Sequence, residues 1–109
     1  MKKIFFSILL LIYLHIFIPA DEIPWFKDIA SAFKASKEQK KYMMIDVYTD
    51  WCVWCKELDK KTYTHDSVIT LSKKLINIKI NPETDQAGRE FLKPFKVDGF
   101  PTILFIDWE

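Results

Sequence analysis

The sequence has few of the residues that mark chains without a packed core. It contains only two glycines among 109 residues, and half of its residues are apolar, so it is unlike collagen-like, low-complexity or disordered chains. It also lacks an excess of charge, with 16 basic and 15 acidic residues. Nucleic-acid binding needs a concentrated positive field, and this composition supplies none. The paired lysines are scattered among acids and indicate solvated helix faces.

Cysteine and histidine are equally scarce, and their number limits metal chemistry. The only two cysteines are Cys52 and Cys55, and His65 is the only histidine outside the first 20 residues. A structural metal site takes four ligands, which two thiols and one imidazole do not supply. Haem attachment through C-x-x-C-H is excluded because Lys56 follows the second cysteine. We therefore expect a protein without a metal or other cofactor.

The first 20 residues have the composition of a targeting segment. Two lysines precede an apolar run at residues 4–18, which is a little short for a spanning helix of about 20 residues. Pro19-Ala20 is only a weak cleavage site, because Ile18 occupies a position where a small residue is favoured. We expect residues 1–20 to be a signal peptide or an N-terminal membrane anchor, and both alternatives stay open. Either one predicts a periplasmic or otherwise extracytoplasmic protein.

Residues 21–109 have the length of one small domain, in which helical and strand patterns alternate. Strands are predicted at about 43–48, 76–80 and 102–106, and helices at about 25–41, 52–63, 66–75 and 83–93. The apolar run at 43–48 predicts a strand buried on both faces, whereas the strict alternation at 76–80 predicts a half-buried strand. Asp66 and Asn81 are the predicted N-caps. This order favours an α/β sheet with helices on its faces.

The two cysteines form a C-x-x-C motif between a predicted strand and a predicted helix. The first N–H groups of a helix lack intrahelical partners, so they stabilise a thiolate at Cys52, and Cys55 lies one turn further on, where it can attack a mixed disulfide. A free thiol with a pKa of about 8.5 is only ~3% thiolate at pH 7, so stabilisation by the helix start would raise the fraction of Cys52 in the reactive thiolate form. A purely structural disulfide is the alternative, but so short a loop contributes only about 2 kcal/mol. The motif predicts redox chemistry.

Two further residues are candidates for that chemistry. Asp46 lies inside the first predicted strand, where burial would raise its pKa and let it exchange protons with Cys55. The alternative is an acid that points out of an edge strand. Pro101 precedes the last predicted strand, where a cis bond would leave backbone groups free to pair with an extended substrate, although cis is the minority state of such bonds.

The segment from Ile45 to Lys56, together with the loop 99–102, resembles the thioredoxin superfamily. Within it, residues 42–107 are similar to the C-terminal periplasmic domain of the disulfide reductase DsbD and to single-domain thioredoxin-like proteins. The resemblance implies a thioredoxin-like fold, with a central mixed sheet and flanking helices. It makes Cys52 the nucleophile, Cys55 the resolving thiol and Asp46 the buried proton-transfer acid.

The resemblance also implies roles for residues around the motif. Asp59 takes the place of a second acid, which in the family tunes the redox site. Lys79 resembles a lysine that lies beside the buried acid. The alternative for Lys79 is a solvent-facing residue of its strand. The expected substrate-binding residues are Trp51, Trp54, Phe100 and Pro101. Trp54 departs from the family, because small residues or proline are common at its position. The family's last strand and C-terminal helix have no counterpart here, so we expect a C-terminally truncated domain.

These observations predict an exported thiol:disulfide oxidoreductase. The resemblance favours a reductase of protein disulfides, served by an upstream redox partner and working as a monomer. The alternative is a non-catalytic thioredoxin-fold binding module or an inactive fragment, which the missing C-terminal elements support.

Overall fold

The computed structural model describes residues 21–109, which form a four-stranded mixed sheet with helices beside it. The predicted targeting segment lies outside the described residues. The strands are β1 (Trp25–Phe26), β2 (Met43–Val47), β3 (Ile76–Ile80) and β4 (Thr102–Ile106). The helices are α1 (Ile29–Gln39), α2 (Val53–Glu57), α3 (Asp66–Ser72) and α4 (Gln86–Leu92), and a π-helical turn, Leu58–Thr62, follows α2 directly.

The sheet is built around β2, in the order β1-β3-β2-β4. Strands β1 and β2 run parallel to β3, and β4 runs antiparallel to β2. All five residues of β2 are buried, as the apolar run predicts. Its Met43, Ile45 and Val47 pack in one core with Ile78 and Ile80 of β3. Burial of each such side chain contributes about 1.5–3 kcal/mol, so this pair of strands anchors the loop that follows β2.

The predicted first helix starts too early. Trp25 and Phe26 form β1 instead and pair with Asn77 and Ile78 of β3. Helix α1 begins at Ile29, because the Asp28 carboxylate accepts the backbone N–H of Ser31 at 2.7 Å and caps the helix there. The apolar spacing of this segment suits a helix, but pairing with β3 satisfies the backbone of the first two residues.

The prediction that β3 is half-buried is also wrong. Four of its five residues are buried, because β3 lies between β1 and β2 and is covered on both sides. Asn77 is fully buried, and its side-chain amide donates to the carbonyl of Ser72 at 2.8 Å. Only Lys79 stays partly accessible.

Two predicted helix starts are displaced by local hydrogen bonds. Helix α3 is capped by His65, not by Asp66, since His65 Nδ1 accepts the N–H of Ser67 at 3.2 Å. Helix α4 is capped by Asp85. Asn81 instead accepts the N–H of Glu83 at 3.0 Å, a short-range turn that competes with a helix start.

Candidate functional site: the Cys52–Cys55 disulfide and its surroundings

The two cysteines are joined by a disulfide at the start of α2, with their Cα atoms 5.3 Å apart. The loop 48–51 leads from the end of β2 to Cys52, which is the N-cap of α2 in an extended conformation. The Cys52 sulfur accepts the backbone N–H of Cys55 at 3.1 Å. After reduction, the same helix-start N–H is placed to stabilise a thiolate at Cys52. Both cysteines are buried in this oxidised form.

Two exposed tryptophans, Trp51 and Trp54, lie on either side of Cys52 in the chain. The rings of Trp51 and Phe100 meet edge-on, with centroids 5.8 Å apart. The Trp51 indole N–H donates to Glu83 Oε1 at 3.0 Å, which fixes this tryptophan. Phe100 and Pro101 are joined by a cis peptide bond. Trp54 is 72% exposed, and it lines a surface groove with Pro101.

Asp46 is fully buried on the central strand β2, so the alternative of an outward-pointing acid on an edge strand is wrong. Neither of its carboxylate oxygens has a hydrogen-bond partner among residues 21–109. The compensating charge is the Lys79 ammonium, 3.2 Å from Asp46 Oδ2. Burial raises the pKa of Asp46, and the lysine opposes that rise only in part. The raised pKa favours the protonated form of this carboxyl group more than in a free aspartate, so Asp46 is a candidate to hold and release a proton.

Lys79 links the buried acid to a second acid. Its ammonium also contacts Asp59 Oδ1. The Lys79 side chain is only 24% exposed, so the alternative interpretation of Lys79 as a solvent-facing strand residue is wrong. Three aromatic rings lie around the same ammonium, with centroids 5.1–5.3 Å from Nζ: Trp25, Tyr48 and Tyr63. The negative ring faces stabilise this ammonium, which contacts both carboxylates.

Sequence reasoning missed these three rings. Tyr63 follows Asp59 by four residues, a spacing that places both on one side of a helical segment. This spacing could have predicted from the sequence that Tyr63 lies near Asp59. Its hydroxyl is buried, and burial together with Asp46 raises the pKa of Tyr63. Trp25 gave no such signal, because its position depends on the pairing of β1 with β3. Within residues 21–109, no three His, Cys, Asp or Glu side chains are grouped so as to hold a metal ion.

The structure thus places the predicted residues in two groups. One group combines the two buried cysteines with the more accessible residues Trp51, Trp54, Phe100 and Pro101. The other is the charged group of Asp46, Lys79 and Asp59.

The order of elements, the mixed sheet and the position of the disulfide agree with a match to a protein-family model. A family described as thioredoxin-like matches residues 24–107. The chain belongs to the thioredoxin-like family. This confirms the predicted family and the predicted fold class.

This thioredoxin-like chain is similar to DsbD proteins over part of their length. It is 39% identical over 75 residues to the thiol:disulfide interchange protein DsbD of Actinobacillus pleuropneumoniae. The matched region covers 68% of this chain and 13% of that relative. The chain therefore spans only a small part of the curated relatives that it matches.

Two solved structures share the fold of this thioredoxin-like chain. The DsbH oxidoreductase superposes with a TM-score of 0.70 at 23% identity, and the match covers 84% of this chain and 71% of that one. The C-terminal domain of DsbD from Neisseria meningitidis in the reduced form superposes with a TM-score of 0.61 at 23% identity, covering 72% of this chain and 70% of that one.

Proposed function

We propose that this protein is a thiol:disulfide oxidoreductase that reduces disulfides of other proteins. The observation that carries the proposal is the Cys52–Cys55 disulfide at the start of α2 in a thioredoxin-like domain. The names of DsbD and of the DsbH oxidoreductase support the same chemistry. In the reduced form the Cys52 thiolate is the nucleophile, because the N–H of Cys55 faces its sulfur.

The proposed reaction has two exchange steps. In the first, Cys52 Sγ forms a bond to one sulfur of the substrate disulfide, the substrate S–S bond breaks, and the other substrate sulfur leaves as a thiolate. In the second, the Cys55 thiolate attacks Cys52 Sγ, which closes the intramolecular disulfide and releases the second substrate sulfur. Two electrons pass from the protein to the substrate, and the structure represents the product state of the protein.

Asp46 is the proposed proton-exchange group for Cys55, with Lys79 and Asp59 setting its electrostatic environment. The supporting observations are its complete burial and its raised pKa. Turnover also requires an upstream dithiol partner that returns two electrons to Cys52 and Cys55, since exchange conserves electrons.

An insulin-reduction assay tests the activity. The full chain should reduce insulin in the presence of a small dithiol, whereas Cys52→Ser and Cys55→Ser variants should lose at least 100-fold in rate. Equal activity in all three would favour a non-catalytic binding module or an inactive fragment. The Cys55→Ser variant should in addition trap a mixed disulfide that identifies the partner.

The direction of the reaction is a question of reduction potential. A potential near −270 mV is typical of a reductase and one near −120 mV of a strong oxidant, a difference of about 7 kcal/mol for two electrons. We expect equilibration with glutathione to give a value near the reducing end. A potential above about −150 mV would contradict the reductase assignment.

The proposed site of action is outside the cytoplasm. This part of the proposal rests on the two lysines and the apolar run at residues 4–18. Among residues 21–109, none of the helices is both long enough and apolar enough to span a bilayer. Cleavage after the targeting segment and retention as an anchor are both compatible with this proposal.

A further inference from the structure

Tyr63 is held beside the buried acid of the sheet by both its backbone and its ring. It directly follows the π-helical turn, and its backbone N–H donates to the Leu58 carbonyl at 2.9 Å. Its ring meets the ring of Trp25 edge-on, with centroids 5.2 Å apart. The centroid of the same ring lies 5.2 Å from Lys79 Nζ, and this ammonium is 3.2 Å from Asp46 Oδ2. Tyr63 and Asp46 therefore share one cation.

The hydroxyl group of Tyr63 points away from solvent. Tyr63 lines a cavity of about 430 Å³ together with Asp59 and Lys79, whereas Asp46 does not line it. The hydroxyl oxygen of Tyr63 is nevertheless buried. The ring rather than the hydroxyl therefore faces the cavity. The hydroxyl has to find a hydrogen-bond partner in the interior of the protein, as buried polar groups generally do.

Two neighbouring buried groups lack hydrogen-bond partners in the oxidised protein. Neither the Tyr63 hydroxyl nor either carboxyl oxygen of Asp46 has one among residues 21–109. Burial raises the pKa of Asp46, the Lys79 ammonium opposes this rise most strongly, and the hydroxyl of Tyr63 opposes it further. A buried polar group without a partner is costly, so a contact between the hydroxyl and the carboxyl group stabilises both.

The groups around Asp46 differ in the hydrogen bonds that they can form with it. The Lys79 ammonium only donates, so it stabilises the carboxylate but cannot accept from the protonated carboxyl group. Asp59 acts through its negative charge, which disfavours the carboxylate of Asp46. On β4, the residue opposite Asp46 is the apolar Ile103. A tyrosine hydroxyl both donates and accepts, so among these groups only Tyr63 can bond to both protonation states of Asp46.

We propose that Tyr63 is a positioning residue for the proton exchange at Asp46. Its hydroxyl donates a hydrogen bond to the ionised carboxylate, which takes the proton of Cys55, and it accepts a hydrogen bond from the neutral acid that results. The inference rests on the proposed oxidoreductase function and adds a residue to its proton exchange. Since hydrogen bonds to a charged group are stronger than those between neutral groups, Tyr63 stabilises the carboxylate more than the neutral acid.

Tyr63 acts in the second exchange step. The proton of the Cys55 thiol passes to the Asp46 carboxylate, and the electron pair left on the Cys55 sulfur forms the bond to Cys52 Sγ. The bond between Cys52 and the substrate sulfur breaks, and that sulfur leaves as a thiolate. A carboxylate stabilised by Tyr63 is available for this transfer at lower pH. The hydroxyl therefore matters most on the acid side of the pH profile.

The Tyr63→Phe variant of the full chain tests the proposal, because it removes the hydroxyl and keeps the ring that packs on Trp25. Carbon-13 NMR of the Asp46 carboxyl group follows its titration in the oxidised form, in which the cysteines do not titrate. The midpoint should rise by about half a pH unit or more, equivalent to about a threefold higher proton affinity. The pH profile of insulin reduction should move in the same direction, with a rate about threefold below wild type on its acid side.

The Tyr48→Phe variant is the matched control, since it removes a hydroxyl from the same aromatic cluster. The Tyr48 ring lies 5.1 Å from the same ammonium, Lys79 Nζ, but its hydroxyl does not act on the pKa of Asp46. The titration midpoint of Asp46 in Tyr48→Phe should therefore stay within about 0.2 pH unit of the wild-type value.

The outcomes distinguish the role of Tyr63 from the proposed function. A midpoint that stays or falls in Tyr63→Phe, an equal rise in Tyr48→Phe, or an unchanged pH profile in Tyr63→Phe would each overturn the role of Tyr63 while the oxidoreductase activity stands. A wild-type chain that reduces insulin at no pH would overturn the proposed function and, with it, the role of Tyr63 in proton exchange.

Discussion

Asp46 is an ionisable residue at the centre of the sheet, and its environment favours the neutral acid. It is fully buried, and the pairing of β2 with β3 sets Asp46 opposite Lys79. Desolvation raises the pKa of Asp46 more than the ammonium lowers it. The carboxylate is thus less stable in the folded protein than in the unfolded chain.

The first prediction at the residue scale concerns Asp46→Asn. Since the folded-state pKa lies above the ordinary value of 3.8, the stability of the wild type should fall as the pH rises from that value through the raised pKa, and stay constant above it. The asparagine variant should not show this fall. Because asparagine has no carboxylate to desolvate, we expect the variant to be more stable than the wild type at neutral pH. Urea denaturation across the pH range measures this.

A surface acid provides the matched control for that prediction. Asp98 is 73% exposed and pairs with Lys96 at 3.4 Å, so Asp98→Asn should change the free energy of unfolding by less than about 0.5 kcal/mol. An Asp46→Asn variant that is less stable than the wild type at neutral pH would contradict the raised pKa.

The second prediction concerns the lysine between the two acids. Lys79→Met removes the cation that lowers the pKa of Asp46, so this pKa should rise further. Lys79→Arg keeps the positive charge and should leave it closer to the wild-type value. Carbon-13 NMR of the carboxyl group of Asp46 follows the titration in all three proteins. A midpoint that does not move in Lys79→Met would show that the ion pair has no effect on the acid.

At the scale of elements, side chains at their ends decide where the helices begin. Asp28 and Asp85 accept backbone N–H groups of the first turns of α1 and α4. Helix α4 also packs its glycine closely against the sheet, because a Cβ on Gly88 would lie 2.6 Å from both Asp85 Oδ2 and Ile80 Cγ2.

The prediction at this scale is that Gly88→Ala is destabilising. Alanine is the better helix former by about 1 kcal/mol, but the added methyl group has to displace the capping carboxylate or a fully buried isoleucine. We expect a net loss of about 1–3 kcal/mol in the free energy of unfolding, measured by urea denaturation. At Gly99 an added Cβ meets no atom of the described residues within 4 Å, so Gly99→Ala should be nearly neutral. Equal effects at the two glycines would contradict the close packing of α4.

At the scale of the whole molecule, the predicted targeting segment precedes a thioredoxin-like domain. The domain has its disulfide formed, and such bonds persist in oxidising compartments. The proposed function therefore depends on where the domain is delivered.

The prediction at this scale is that residues 1–20 direct export. The full chain produced in a bacterial host should fractionate outside the cytoplasm, whereas a chain that lacks residues 2–20 should stay inside. Mass spectrometry of the exported protein separates a cleaved signal from a retained anchor. A full chain that remains in the soluble cytoplasmic fraction would contradict the targeting interpretation.

Features that depend on neighbouring residues were predictable. The C-x-x-C spacing, the apolar run of β2 and its buried character follow from local pattern, and the structure confirms the strand and its burial. The two-residue strand β1 was not predictable, because its conformation depends on a partner about 50 residues away, with Trp25 opposite Asn77. The capping of α3 by His65 was missed because two adjacent polar residues compete for that position.

The sequence by itself indicated the proposed redox chemistry, because two thiols one helical turn apart at the start of a helix can form and break one disulfide. It also determined that a buried strand precedes them. Only the tertiary structure decided the burial of Asp46 and the charge beside it, because strand register brings Lys79 next to it and the sheet excludes water. The tertiary structure alone also brought Trp54 and Pro101 to one groove, since residues 47 positions apart meet only through folding.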